Sequence, residues 1–182
     1  MFNSQEEAYQ YLKRVVTELL QPPLDMLCSV VIGDPRFTSG FGSANKHHSY
    51  VGGLMVHTAE VVKLVRSMVG DADVRVLTVA AIYHDYHKIY DYEIRHDHVK
   101  MCDYIAKTDH HRLIGHVAGS YTEFVIQSVP YTQDVMTLNF VEQVGHCILS
   151  HHGRKEWGSP VVPATKEAFI LHAADMISSQ IK

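Results

Sequence analysis

Histidine is the residue type that gives this sequence its most distinctive chemistry. The chain has 14 histidines among 182 residues, and many of them stand close together in the sequence. Imidazole binds first-row divalent metals and exchanges protons near neutral pH. The clustering therefore points to metal binding, to acid–base chemistry or to both. The groups are His47-His48, His84 with His87, His96 with His98, His110-His111 and His151-His152.

Helical spacing predicts that several of these histidines face the protein interior. His57 is spaced along a helix with Leu54, Val61 and Leu64, so the face that buries these apolar residues also carries an imidazole. The same inward placement is predicted in four further segments, for His84 with the adjacent Asp85, for His116, for His151 with His152, and for Asp175.

Burying these side chains separately would be unfavourable. An unsatisfied buried polar group costs about 1–3 kcal/mol, and a single histidine on an apolar face is more often a hydrogen-bonded core residue than a ligand. Several histidines on different helices, together with Asp85 and Asp175, can instead satisfy one another around a cation, because imidazole and carboxylate are both good metal ligands. The set as a whole therefore predicts one metal site.

Apolar periodicity and capping residues predict the helices that must position this site. Ser4 and Glu7 form a capping box at the start of a first helix, which ends before Pro22-Pro23. Residues 36–53 are rich in Gly, Ser, His and Asn, which predicts a loop. Alternating strand patterns are nearly absent, so we expect one all-α domain over 1–182, with a helical extension at 1–45 and a metal-binding core at 46–182. Further helices are predicted at 24–32, 54–69, 73–84, 97–106, 113–128, 134–150 and 165–180.

Composition argues against several classes of protein. Apolar residues make up 46% of the chain, and the formal net charge is -4 with histidine neutral, which is unfavourable for a large basic surface that binds duplex nucleic acid. The N-terminus is polar, and no apolar run approaches the roughly 20 residues of a membrane span. Cys28, Cys102 and Cys147 form no paired framework. We expect a cytoplasmic protein with no membrane partner, and a homo-oligomer stays an open alternative.

The order of the predicted ligands resembles that of a known family. His57, His84-Asp85, His116, His151-His152 and Asp175 give the pattern H…HD…H…HH…D of the HD-domain superfamily of metal-dependent phosphohydrolases. Four segments within residues 46–177 are similar to the HD domain of YhaM-type 3′–5′ exoribonucleases. They are KHHSYVGGLMVHTAEVV (46–62), HDYHKI (84–89), LIGHV (113–117) and ILSHHGRKEWGSPVVPATKEAFILHAADMI (148–177). The resemblance implies an HD-domain helical bundle.

The resemblance also implies a centre of two divalent transition metals. The first would be bound by His57, His84, Asp85 and Asp175. Asp85 would bridge to a second metal, bound by His116 and by His151 or His152. A shell of nitrogen and carboxylate ligands suits Mn, Fe, Co, Ni or Zn better than Ca.

The activity implied is that of a two-metal phosphodiesterase, which cleaves a nucleotide or short oligonucleotide with a metal-bound hydroxide. Asp85 and Lys88 would be catalytic, and Lys88 would also contact a phosphate. The exoribonucleases carry a separate nucleic-acid-binding domain before the HD domain, whereas the first 45 residues here are expected to be helical, which favours short substrates. Further candidates for substrate contact are His48, His87, His111, Arg112 and Arg154.

Other activities could use the same ligand set. A nucleotidase or dNTP phosphohydrolase and a di-iron oxygenase are both compatible with it, and a non-catalytic sensor is a third alternative. Lys88 and the exonuclease-like residues 150–163 favour hydrolysis over oxygenation. In the HD loop, which usually reads His-Asp-Ile-Gly-Lys, His87 stands in place of the glycine.

Overall fold

The protein folds as a bundle of α-helices with one small β-hairpin, as expected for an HD domain. The computed structural model describes residues 1–132 and 136–180. Among the helices in these ranges, none is both long enough and apolar enough to cross a bilayer. The helices are α1 Gln5–Arg14, α2 Leu24–Ile32, α3 Pro35–Ser39, α4 Gly53–Ser67, α5 Val74–Tyr83, α6 Asp109–Leu113, α7 His116–Ser128, α8 Leu138–Ser150 and α9 Lys166–Gln180.

Capping side chains define where many of the helices begin. Ser4 Oγ accepts a hydrogen bond of 3.1 Å from the amide of Glu7, which confirms that Ser4 caps α1. Each such cap satisfies an amide that lacks a partner within the helix, and it contributes about 1 kcal/mol. The caps of α3, α5, α6 and α8 are Asp34, Asp73, Thr108 and Thr137.

Helices α4 and α5 form the centre of the bundle. Residues 53–62 of α4 and 76–83 of α5 are all buried. Around this pair, α1 and α9 pack against α4, whereas α2 and α8 pack against α5. Because α4 carries His57 and α5 ends immediately before His84, two predicted ligands lie on the most enclosed elements of the fold.

The predicted helix at 97–106 is wrong, because this region belongs to an antiparallel hairpin. Strand β1, Tyr92–Asp97, pairs with strand β2, Cys102–Lys107, in a register that places Tyr92 opposite Lys107. Asp97 Oδ1 accepts hydrogen bonds from the amides of Val99 and Lys100 and so stabilises the turn. Most hairpin residues are exposed, so the sequence carries little of the burial periodicity that reveals a strand.

Two other boundaries differ from the predictions. The loop predicted at 36–53 contains part of α3, because Asp34 caps this short helix and Pro35 occupies its first position. The helix predicted at 134–150 is described only from Leu138, and its first two predicted residues lie outside the described ranges.

The loop before α4 is held by close backbone packing. A Cβ atom on Gly53 would lie only 2.0 Å from the carbonyl oxygen of His48. The amide of Gly42 donates to the same carbonyl over 2.9 Å. His48 itself has a φ of 58°, which lies in the left-handed region that few side chains adopt. The absence of a side chain at Gly53 therefore lets this loop pack directly against the start of α4.

We expect Gly53→Ala to lower the free energy of unfolding by roughly 2–3 kcal/mol, because the new methyl group would overlap a backbone oxygen. Gly70→Ala is the control for a methyl group added without a clash: the nearest atom lies 4.0 Å from an added Cβ, and the substitution is strained only by the positive φ of Gly70. Its cost should be about 1 kcal/mol. Urea denaturation of both variants measures the difference, and equal losses would contradict the packing argument.

Candidate metal centre

The predicted ligands come together at the centre of the bundle. Their side chains form two groups, and within each group the candidate ligand atoms all lie within 4.8 Å of one another. Asp85 belongs to both groups, which we call the first and the second ligand group. The first contains His57, His84, Asp85 and Asp175, and the second contains Asp85, His116, His151 and His152.

Asp85 presents one carboxylate oxygen to each group. Its Oδ2 lies 3.3 Å from His57 Nε2 and 3.4 Å from His84 Nε2. Its Oδ1 lies 3.3 Å from His116 Nε2 and 3.6 Å from His151 Nε2. A carboxylate that bridges two cations would present its oxygens in this way.

The remaining ligand candidates extend each group away from Asp85. Asp175 Oδ1 lies 3.1 Å from His57 Nε2 in the first group. In the second group, His152 Nε2 lies 3.3 Å from His116 Nε2. The structure therefore brings both His151 and His152 to the second group and does not choose between them.

Hydrogen bonds on the far sides of two rings direct their Nε2 atoms into the centre. His84 Nδ1 donates to the carbonyl oxygen of Ala81 over 2.8 Å, and His151 Nδ1 donates to that of Ile148 over 2.7 Å. A carbonyl can only accept, so the proton of each neutral ring is on Nδ1. Nε2 then carries the lone pair that a metal needs.

The ligand atoms satisfy one another poorly by themselves. The Nε2 atoms of His57 and His84 lie 3.3 Å apart. Within the part of the chain that the structure describes, His151 Nε2 and Asp85 Oδ1 are buried without a hydrogen-bond partner. Each such atom costs about 1–3 kcal/mol. Cations bound by these atoms would satisfy them together, so the donor set fits divalent transition metals.

The electrostatics of the two groups agree with this fit. Burial lowers the pKa of His116 and His151, and it lowers that of His152 to about 3, so these rings are neutral, as metal ligands must be. Burial acts in the same direction on His57, but the carboxylates of Asp175 and Asp85 raise its pKa to about 9. The first ligand group therefore favours a positive charge.

Lys88 places a fixed positive charge beside the centre. Its Nζ lies 2.6 Å from Asp85 Oδ2. Burial would lower the pKa of Lys88, but the charge of Asp85 outweighs burial and raises it. Burial would likewise raise the pKa of Asp85, but the charge of Lys88 holds it well below its usual range. Both side chains are therefore ionised at neutral pH.

Asp91 is a buried residue at this site that the sequence analysis missed. Its Oδ2 accepts hydrogen bonds from His116 Nδ1 at 2.9 Å and from His111 Nδ1 at 3.1 Å, and its Oδ1 accepts one from His110 Nδ1 at 2.9 Å. Burial acts to raise the pKa of Asp91, but the hydrogen bonds from the histidines lower it to about 2. The ionised carboxylate thereby orients His116. The signal in the sequence was an acidic residue between two aromatic ones, Tyr90 and Tyr92.

A cavity of about 1040 Å³ opens onto the centre. Its wall combines ligand candidates with lysines and aromatic rings, which suit phosphates and nucleobases respectively. Lys46, Tyr92 and Lys107 carry no signal in the sequence, because they lie in the loop before α4 and at the base of the hairpin, outside the helical spacing that revealed the ligands. The wall includes His48, His57, Lys46, Lys88, Tyr92, Lys107, Trp157 and Asp175.

Among the residues predicted to contact substrate, Lys88 and His48 line this cavity. The residues that line it do not include His87, His111, Arg112 or Arg154. Substrate contact by these four residues stays a prediction that the geometry does not support, and each has another neighbour.

His87 turns toward α7, where its Nε2 lies 3.7 Å from Glu123 Oε2. The ring fills the space above Gly119, where a Cβ would lie 2.2 Å from His87 Nδ1. Arg112 pairs with Asp109 on the surface. The Arg154 guanidinium lies 4.7 Å from the centre of the Trp157 ring, so it supports a wall residue from outside.

Comparison of the chain with models of protein families identifies its family. The family model of the HD domain matches residues 54–179, which include every candidate ligand and more than half of the chain. The chain belongs to the HD-domain family.

Curated relatives of this HD domain are named 3′–5′ exoribonuclease YhaM. The relative from Bacillus licheniformis is 30% identical over 142 residues, which cover 76% of this chain and 42% of the relative. The one from Shouchella clausii is 27% identical over 148 residues, or 80% of this chain and 43% of the relative. The chain spans about two fifths of the length of these relatives. No solved structure matches the chain significantly.

We expect Asp91→Asn to weaken divalent-metal binding about 10–100-fold, because the Asn amide has one acceptor oxygen in place of the two that hold His110, His111 and His116. Isothermal titration of metal-free protein with Mn²⁺ measures this affinity. Asp109→Asn is the control, since it removes the same charge from an exposed side chain that pairs with Arg112. An affinity of Asp91→Asn equal to that of the control would show that His116 does not depend on Asp91.

Proposed function

We propose that this HD domain is a metal-dependent phosphodiesterase that hydrolyses a nucleotide or short oligonucleotide with two divalent metals. The observation that carries the proposal is the position of Asp85, whose two oxygens face separate groups of ligands beneath a cavity with lysine and aromatic walls. The names of the relatives, which are 3′–5′ exoribonucleases, support the same reaction class.

The two ligand groups would each hold one metal. His57, His84, Asp85 and Asp175 would bind the first, and Asp85, His116, His151 and His152 would bind the second. When bound, a pair of divalent metals supplies an activated water and neutralises charge that develops at phosphorus. The protein's part is to fix the ligands, to bind the phosphate and to position the nucleoside.

Lys88 is the side chain best placed to bind the phosphate. It lines the cavity and is held beside Asp85, so its ammonium reaches the space next to both ligand groups. Because it stays charged at neutral pH, it can donate a charge-assisted hydrogen bond to a non-bridging phosphate oxygen. Charge that develops on this oxygen during the reaction strengthens the bond, so Lys88 would stabilise the transition state.

The cavity wall suits a substrate that carries nucleobases and more than one phosphate group. Tyr92 and Trp157 offer aromatic rings on which a base can stack, a contact worth about 1–3 kcal/mol. Lys46 and Lys107 add positive charge away from Asp85. A volume of about 1040 Å³ is at the upper end of the roughly 300–1,000 Å³ of small-molecule sites. These features favour a phosphodiester between two nucleosides over a single nucleotide.

Assays on three kinds of substrate test the proposal. Protein loaded with Mn²⁺ should cleave bis-p-nitrophenyl phosphate and should release mononucleotides from a short ribo-oligonucleotide. EDTA should abolish both activities, and added Mn²⁺ should restore them. Release of nucleoside and triphosphate from dNTPs, with no diester cleaved, would assign a dNTP phosphohydrolase instead. Consumption of O₂ by the iron-loaded protein, with no phosphoester cleaved, would assign a di-iron oxygenase.

Lys88→Ala should lower kcat/KM for bis-p-nitrophenyl phosphate about 10–100-fold, because it removes a charged hydrogen bond worth about 1.5–3 kcal/mol. Lys100→Ala is the control, since it removes the same charge from the exposed hairpin turn. Steady-state kinetics at saturating Mn²⁺ compare the two variants. Wild-type kinetics in Lys88→Ala would exclude Lys88 as the phosphate ligand.

A further inference from the structure

Glu60 is a buried carboxylate of α4 that the proposed mechanism does not use. It lies one helical turn after His57, away from the solvent. A buried charge of this kind is strongly unfavourable unless several donors compensate it. The partners of Glu60 therefore indicate why the bundle retains it.

The first partner of Glu60 leads to the metal centre. Ser178 Oγ on α9 donates a hydrogen bond of 2.8 Å to Glu60 Oε2. Ser178 Oγ also lies 3.0 Å from His57 Nδ1. A serine hydroxyl has one hydrogen, and Glu60 receives it, so His57 Nδ1 is the donor in the other contact. The proton of a neutral His57 ring is thereby held on Nδ1, and Nε2 is directed toward Asp85 and Asp175.

The second partner of Glu60 leads to the cavity wall. His48 Nε2 lies 3.2 Å from the same Oε2 of Glu60. Because burial would raise the pKa of Glu60 while the hydrogen bonds from His48 and Ser178 lower it below its usual range, Glu60 is an ionised acceptor. His48 Nε2 is then the donor. The other ring nitrogen, Nδ1, is buried without a hydrogen-bond partner among the described residues, although His48 lines the cavity.

The backbone around His48 reinforces this placement. The residue adopts a left-handed φ of 58°, and its carbonyl packs against the backbone of Gly53. A non-glycine residue in this region costs of order 1–3 kcal/mol and persists only where its surroundings fix it. Such strain is typical of residues that contact ligands.

We propose that Glu60 is a positioning residue that supports both the cavity wall and the metal centre. Through Ser178 it orients His57 toward the first metal, and through its direct hydrogen bond it holds the His48 ring in the cavity wall, where the ring contacts the substrate. Glu60 would thus do for the first ligand group what Asp91 does for the second. The link through His48, which we call the substrate branch, rests on the proposed function. The link through Ser178, the metal branch, depends only on the ligands.

Variants that interrupt one branch at a time test the two roles of Glu60. Ser178→Ala should lower Mn²⁺ affinity about 10–100-fold, as expected when the outer partner of a metal-binding histidine is lost. The KM of this variant for a short ribo-oligonucleotide at saturating Mn²⁺ should stay within twofold of the wild-type value. His48→Asn keeps a residue that tolerates a positive φ. It should raise KM about tenfold, because the contact between the imidazole ring and the substrate is lost, and should leave Mn²⁺ affinity unchanged.

Substitutions of Glu60 itself should combine both effects. Glu60→Ala should weaken Mn²⁺ binding and raise KM together, and Glu60→Gln should recover most of each, since its amide oxygen can accept both hydrogen bonds. Ser128→Ala is the matched control, because Ser128 is also buried but donates only to a carbonyl of its own helix. It should leave both quantities at wild-type values.

The two branches can fail separately. Wild-type Mn²⁺ affinity in Ser178→Ala would overturn the metal branch, and wild-type KM in His48→Asn would overturn the substrate branch, even if Glu60→Ala did not fold. If the protein cleaved no phosphoester, the substrate branch would fall with the proposed function. Isothermal titration with Mn²⁺ would still decide the metal branch, because it requires no activity.

Discussion

The structure depends on keeping one ionised carboxylate, that of Asp85, buried at the centre of a helix bundle. Burial alone would protonate it, and an uncompensated buried charge would destabilise the fold by several kcal/mol. Lys88 at 2.6 Å opposes this effect directly, and cations bound by the four histidine Nε2 atoms within 3.6 Å of the carboxylate would oppose it further. One helix presents only about one side chain per turn to a given point. The partners of Asp85 must therefore come from several helices, and α4, α5, α7 and α8 converge on this residue.

The position of each histidine along its helix determines what orients it. His84 and His151 directly follow the last turns of α5 and α8, where carbonyl groups lack helical partners. Each ring bonds the carbonyl three residues earlier, so its orientation is a local property of the helix end. His57 lies inside α4, where such carbonyls are already used, and His116 is the first residue of α7, with its Nδ1 turned to Asp91. These two histidines instead require buried carboxylates, which are Asp91 for His116 and Glu60, through Ser178, for His57.

The same distinction explains what could be predicted from the sequence. The inward faces of the helices follow from apolar spacing, so the ligand candidates could be found in sequence order. Glu60 and Asp91 carry no such signal. Spacing indicates which face Glu60 occupies but not that α4 is buried on nearly all sides, and Asp91 lies between a 3₁₀ turn and β1, outside the α-helices. His87 was a candidate for substrate contact because it stands in the HD loop beside His84 and Asp85, in place of the usual glycine. The α-helix ends between them, however, and the 3₁₀ turn that follows directs His87 toward α7.

The cavity wall is built mainly from segments that connect the helices, and two buried carboxylates tie these segments to the ligands. Asp91 immediately precedes β1, and its carbonyl accepts a hydrogen bond from the amide of Thr108 just after β2, so the residue that orients His116 also closes the base of the hairpin. Tyr92 and Lys107 at this base line the cavity. On the opposite side, Glu60 bonds His48 of the loop before α4. Connecting segments can vary while a helical scaffold stays fixed. If the proposed function is correct, changes in the hairpin or this loop would therefore alter substrate preference without displacing the candidate ligands, provided that the two carboxylates keep their hydrogen bonds.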